Sequence, residues 1–123
     1  MKMLTQEIIG AAMKVHSALG PGLLESAYET CLEYELKKKW SVERQKVLPV
    51  IYEDVELDCG YRLDLVVDSQ VILELKTVEK LLPIHDAQLL SYLKLSGVHV
   101  GLLVNFHVLH LRDGIKRLVN GYV

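Results

Sequence analysis

The chain has 123 residues, half of them apolar, and a formal net charge of −2. That length supports one domain with one core over residues 1–123, and is too short for two. The charge excludes a protein that grips nucleic acid by bulk positive potential alone, because phosphate binding is driven by Lys and Arg.

Apolar residues at Ile8, Ala12, Val15 and Leu19 have helical spacing and predict a first helix over Leu4 to Leu19, with Thr5 as N-cap. Gly20-Pro21-Gly22 ends it and opens a second helix from about Leu23 to Lys39, whose core-facing stripe is Leu24, Ala27, Tyr28, Cys31 and Tyr34. The lysines Lys37, Lys38 and Lys39, with Arg44 and Lys46 beyond Trp40, read as a solvated helix end that complements the dipole, ahead of a nucleic-acid contact patch. Val42 to Tyr52 reads as a strand that Pro49 puts at an edge or bulge. After a turn at Glu53-Asp54, Val55 to Val67 reads as a long strand bent at Gly60. A turn at Asp68 to Gln70 leads into a strand over Val71 to Val78. Pro83 opens a helix over Ile84 to Ser96, and Gly97 stops it. Val98 to Phe106 is an apolar run apart from His99 and Asn105, as in a buried strand, central or at an interface. The tail turns at Asp113-Gly114 and ends in a short strand or helix. This order of helices, three-strand meander, helix and strand is an α/β arrangement, a mixed sheet covered by helices.

No apolar run reaches the roughly eighteen residues of a membrane span. Met1 to Gly10 contains Glu7 and has no long apolar run before a cleavage site, so no secretory leader is expected. Cys31 and Cys59 lack CxxC spacing and sit among apolar residues. They read as reduced core thiols of a cytoplasmic protein.

The chemistry is concentrated in Tyr61 to Lys76. Side chains alternate along a strand, so Arg62, Asp64 and Val66 share one face, as do Ile72, Glu74, Lys76 and Val78. The opposite face would carry Leu63, Leu65, Val71, Leu73 and Leu75. A three-residue turn at Asp68 to Gln70 pairs Val67 with Val71, which sets Asp64 opposite Glu74 and Arg62 opposite Lys76. Facing carboxylates destabilise a sheet and resist joint ionisation. A divalent cation offsets both, and Mg²⁺ favours one or two carboxylates completed by water and phosphate oxygens. Lys76 is placed to stabilise charge at the same site or to help activate water. The plainer alternative is a half-exposed hairpin with a wet charged face.

Asp64 followed after a short hairpin by Glu74-Leu75-Lys76 resembles the D…(D/E)xK signature of the PD-(D/E)XK nuclease superfamily. Gly22-Leu23-Leu24-Glu25-Ser26-Ala27-Tyr28 matches the motif of its GxxExxY family, and Gln88 to Leu93 resembles its QxxxY element. The likeness runs from Leu4 through Asn120, departing at His107, where a glycine is common. It implies a restriction-endonuclease-like core. It implies Asp64, Glu74 and the Leu75 carbonyl as metal ligands, with Mg²⁺ as the ion and Mn²⁺ as the alternative, and Lys76 orienting the attacking water. Glu25 would hold a second metal, or is a first-turn glutamate favoured by the helix dipole. Gln88 and Tyr92 share a helix face and would contact substrate phosphate, or tie the helix to the sheet. His107 and His110 would point to opposite faces of a strand, which disfavours zinc. His85 would reach the site from above or act at the helix terminus.

Two functions follow as expectations. The leading one is metal-dependent hydrolysis of nucleic acid, DNA ahead of RNA. The other is a non-catalytic nucleic-acid-binding or protein-interaction module on the same fold. No membrane partner is expected, and a homodimer is left open.

Overall fold

The computed structural model describes residues 2–57 and 60–121. Cys59 therefore lies outside the described residues.

Helix α1 spans Lys2–Leu19 and α2 spans Glu25–Lys37. On α1, Leu4, Ile8, Ala12 and Val15 are buried on one stripe. The helix begins ahead of Thr5, so Thr5 is a buried interior residue and not a cap. On α2 the buried stripe is Tyr28, Glu29, Leu32 and Leu36. Leu24 and Tyr34, expected in the core, are 79% and 67% exposed. The helix is rotated to follow Tyr28, whose ring stacks on Phe106 at 4.3 Å between centroids.

Each of the two long strands expected before Val67 is broken in two. The first becomes β1 (Val42–Val47) and β2 (Val50–Tyr52), separated at Pro49, which cannot donate to a ladder. The second becomes β3 (Val55–Leu57) and β4 (Arg62–Val67), with Gly60 between them at φ 74°, a conformation that other residues rarely adopt. The pair β2–β3 forms its own two-stranded hairpin, while β1 and β4 enter the main sheet. The remaining elements are β5 (Val71–Lys76), α3 (Pro83–Ser96), β6 (Val100–Asn105), a 3₁₀ turn (Leu111–Gly114) and β7 (Ile115–Val119).

The main sheet has five strands in the order β1-β4-β5-β6-β7. Neighbours are antiparallel except β5 and β6, which are parallel and joined through α3, so the sheet is mixed. The Val98 to Phe106 run forms β6, buried along its length between β5 and β7, and is not available as an interface. One face of the sheet packs Leu65, Val67, Leu73, Leu75, Leu102 and Val104 beneath α1 and α2. The other packs Leu63, Val66, Ile72 and Leu103 beneath Leu89, Tyr92 and Leu93 of α3. Gly101 permits α3 to lie so close, because a Cβ there would meet Leu89 at 2.9 Å. This is an α/β fold consistent with a restriction-endonuclease-like core. Among the described residues no helix is long and apolar enough to cross a membrane.

Candidate functional site

The turn at Asp68 to Gln70 closes with the Gln70 N–H donating to the Val67 carbonyl at 2.9 Å. The register that follows is the expected one, Val67 with Val71, Val66 with Ile72 and Leu65 with Leu73. There the pairing of β4 with β5 stops. Asp64 and Glu74 are not partners in a ladder, nor is Arg62 paired with Lys76. Instead the Asp64 N–H donates to Glu74 Oε2 at 2.9 Å, and the Leu75 N–H donates to Asp64 Oδ2 at 2.8 Å. Each carboxylate takes the place of a carbonyl on the opposite strand, and the strands part around the pair.

Alternation along β4 also breaks at this point. Leu63 packs beneath α3, whereas Leu65, two residues on, packs beneath α1 and α2. The expectation that both share a face is corrected. On the other side of β4, the β1 pairing skips Gln45 and Asp64, and Gln45 sits at φ 51°. Gln45 and Asp64 thus stand opposite one another at an unpaired position of this ladder, whose register is the same on either side.

Glu74 is buried, and burial is the main reason its carboxyl is pushed up to about 8. The Asp64 charge adds to the rise, while the Asp64 N–H and Lys76 oppose it. Burial raises Asp64 as well, against the Leu75 N–H. Glu25, half-buried on the first turn of α2, is raised by burial and then by Asp64, with Lys76 opposing. The structure therefore brings Glu25, Asp64, Glu74 and Lys76 into one electrostatic group. Among the described residues the Lys76 ammonium has no ion-pair partner, so it is not consumed by a neighbouring carboxylate.

Gln88 and Tyr92 lie on α3, on the other side of the sheet from α2. Gln88 is exposed and Tyr92 is buried. The Tyr92 phenol is raised by burial, then by the Glu74 charge, with a hydrogen bond to Gln88 lowering it. Tyr92 therefore borders the acidic group, and Gln88 is tied to it. The His85 ring accepts the Leu82 N–H at 2.9 Å, closing the first turn of α3 as a helix-terminus residue. His107 and His110 flank a bent segment outside any strand.

Two residues of this region were not anticipated. Glu29, only 6% exposed, accepts Arg44 Nε on Oε2 and Gln45 Nε2 on Oε1, both at 2.8 Å. Gln45 Nε2 also approaches Asp64 Oδ1 at 3.3 Å, so a polar chain runs from Arg44 through Glu29 to the candidate ligand. Glu29 lies four residues after Glu25, on the same helix face, and that spacing was the available signal. Asn105, buried at the end of β6, accepts the Val78 N–H and donates to the Val78 carbonyl, holding the chain just after Lys76. Tyr28 anchors the approach to Glu25. Its hydroxyl donates to the Gly20 carbonyl at 2.5 Å and accepts the Leu23 N–H at 3.1 Å.

The basic cluster is not a free patch. Lys37 pairs with Glu33, Lys38 with Glu35, Lys39 with Glu7, Arg44 with Glu29 and Lys46 with Glu43. A solvated, ion-paired helix end is the reading that this geometry supports.

The donor set fits a hard divalent cation. It offers carboxylate oxygens from adjacent strands, in a setting where burial disfavours their charge unless an ion offsets it. Among the described residues no group of three or more His, Cys, Asp and Glu side chains is assembled as a ready cage.

Searches of curated proteins and of solved structures gave no significant match. A family model for the PD-(D/E)XK nuclease superfamily matches residues 2–118. That span contains the whole sheet except the last residue of β7, all three helices and every member of the acidic group. The chain belongs to the PD-(D/E)XK nuclease superfamily.

Proposed function

We propose that this chain hydrolyses phosphodiester bonds of nucleic acid, DNA ahead of RNA, using Mg²⁺, for which Mn²⁺ can substitute. The observation that carries the reading is the parting of β4 and β5 around Asp64 and Glu74, with a buried Glu74 carboxyl pushed up to about 8 beside an uncommitted Lys76. Asp64, Glu74 and the Leu75 carbonyl would hold the ion, and Glu25 would add a carboxylate from α2. The bound ion supplies Lewis-acid polarisation and charge neutralisation at the phosphoryl group. Lys76 orients the attacking water and places positive charge against the transition state. Gln88 and Tyr92 contact substrate from the α3 side. The Gly22, Glu25 and Tyr28 spacing supports a GxxExxY-type branch, in which Tyr28 would serve by fixing the loop that delivers Glu25.

Titration calorimetry with Mg²⁺ and Mn²⁺ on the parent and on Glu74→Ala tests the metal directly. A binding heat in the parent that the variant lacks is expected. Cleavage that survives Asp64→Ala or Glu74→Ala undiminished ends the assignment.

A non-catalytic module on the same fold is the second reading. The net charge of −2 and the ion-paired state of the basic cluster favour it. It predicts nucleic-acid binding that is indifferent to Mg²⁺ and no cleavage.

A further inference from the structure

A cleft of about 580 Å³ opens next to the acidic group, between α3 and the approach to β4, lined in part by Tyr61, Lys76, Gln88 and Tyr92. Its remaining wall combines the apolar Val50, Ile84 and Leu95 with the polar His85 and Ser91. The Tyr61 and Tyr92 rings are 6.3 Å apart between centroids and inclined at 60°. Tyr92 is 7% exposed and forms the floor, while Tyr61 is 45% exposed and presents its ring to solvent. Lys76 belongs both to the cleft and to the acidic group.

We propose that this cleft takes an unpaired nucleobase, with Tyr61 as its stacking platform, and so makes single-stranded nucleic acid the preferred substrate. The proposal rests on the nuclease reading above and deepens it. A phosphate held at Lys76 has its neighbouring nucleoside within reach of the cleft. Apolar wall residues and a phenol ring suit the face of a base and not a phosphate, and every base has a π-face to offer. In a duplex those faces are occupied by neighbouring bases, and entry would require unstacking. The polar groups at the rim, Gln88 and Ser91, can meet the edges of the base. Charge points the same way. Duplex binding draws on many Lys and Arg contacts along two backbones. Here the cluster around Trp40 is already ion-paired, and among the described residues lining the cleft Lys76 is the one Lys or Arg. Stacking, which is sequence-tolerant, supplies what charge does not.

The test uses a short single-stranded oligonucleotide carrying one 2-aminopurine, and the same sequence as a duplex, with the parent protein in EDTA so that no metal-dependent cleavage runs. Anisotropy should show tighter binding of the single strand, and 2-aminopurine emission should be quenched by stacking. Tyr61→Ala should weaken single-strand binding by about tenfold and abolish the quench, while Tyr61→Trp retains both. Duplex binding as tight as single-strand binding, or an unaltered quench in Tyr61→Ala, overturns the proposal. Mn²⁺ calorimetry on EDTA-free preparations of the same proteins separates this from the nuclease reading. A parent that takes up Mn²⁺ without preferring the single strand loses the cleft and keeps the metal site. Tyr61-dependent binding by a chain that takes up no Mn²⁺ supports the cleft and ends the nuclease reading.

Discussion

The β4–β5 hairpin has two ends that obey different rules. Near the turn, Leu65, Val66 and Val67 face Leu73, Ile72 and Val71 in an ordinary ladder, all buried, with backbone groups satisfying one another. A few residues away the same strands part, and two carboxylates take over the backbone N–H groups of Asp64 and Leu75. The turn end is optimised for burial. The open end holds acidic groups that burial penalises, and tolerates them because the apolar ladder, β6 and both helix layers keep the strands in place. A site of this kind costs stability locally and depends on its neighbours for support.

The contrast is broken most sharply at the open end. Asp64→Ala or Glu74→Ala should lower metal-dependent cleavage by at least about a thousandfold, or roughly 4 kcal/mol of barrier, with the helical circular dichroism unchanged. An oligonucleotide cleavage assay in Mg²⁺ reads this.

The next largest effect is on pH. Burial raises Glu74 from an ordinary 4.5 to about 8, so between those values the folded chain binds more protons than the unfolded one. Stability of the metal-free protein should therefore be greatest below about pH 4.5 as far as this group is concerned, and fall as pH rises through 8. The loss is on the order of 5 kcal/mol. Urea titrations across pH should show that slope, and Glu74→Gln should flatten most of it. Asp64 and Glu25, raised in the same sense, contribute to what remains. Added Mg²⁺ should recover stability at the alkaline end, where the carboxylates are ionised and the ion binds the native state alone. A metal-free parent that gains stability from pH 5 to pH 8 through these groups contradicts the assigned burial.

At the turn end, Leu73→Ala should cost about 3 kcal/mol of folding stability by opening a cavity. The folded fraction should keep its cleavage rate, because Leu73 belongs to the paired, apolar end of the hairpin. The smallest change is Gln45→Ala, which removes the bridge from Glu29 to Asp64. It should cost about 1 kcal/mol, with cleavage reduced less than tenfold. A loss comparable to that of Asp64→Ala would instead move Gln45 into the chemistry.

Several of these features were legible in order along the chain. Pro83 and Gly97 bound the third helix where expected, and the turn at Asp68 to Gln70 set the register from Val67 and Val71. Those signals are local, since a turn length and a hydrophobic period need no knowledge of distant residues. The stripe on α2 was misjudged at Leu24 and Tyr34 because periodicity alone does not say which side of a short helix meets the sheet. Tyr28 decided it by stacking on Phe106, remote in sequence. Glu29 was missed for the same reason, since its partners Arg44 and Gln45 come from β1.

The sequence by itself thus determined the order of helices and strands, the strand register at the turn and which residues are candidates for metal chemistry. Those follow from side-chain period, turn residues and the chemical nature of Asp64, Glu74 and Lys76. Only the tertiary structure decided that β4 and β5 part at the carboxylates, that α2 supplies Glu25 with Glu29 behind it, and that Tyr61 meets Tyr92 at the mouth of a cleft. These depend on how elements distant in the chain pack, and on a low-dielectric setting that exists only once the two apolar layers have closed over the sheet.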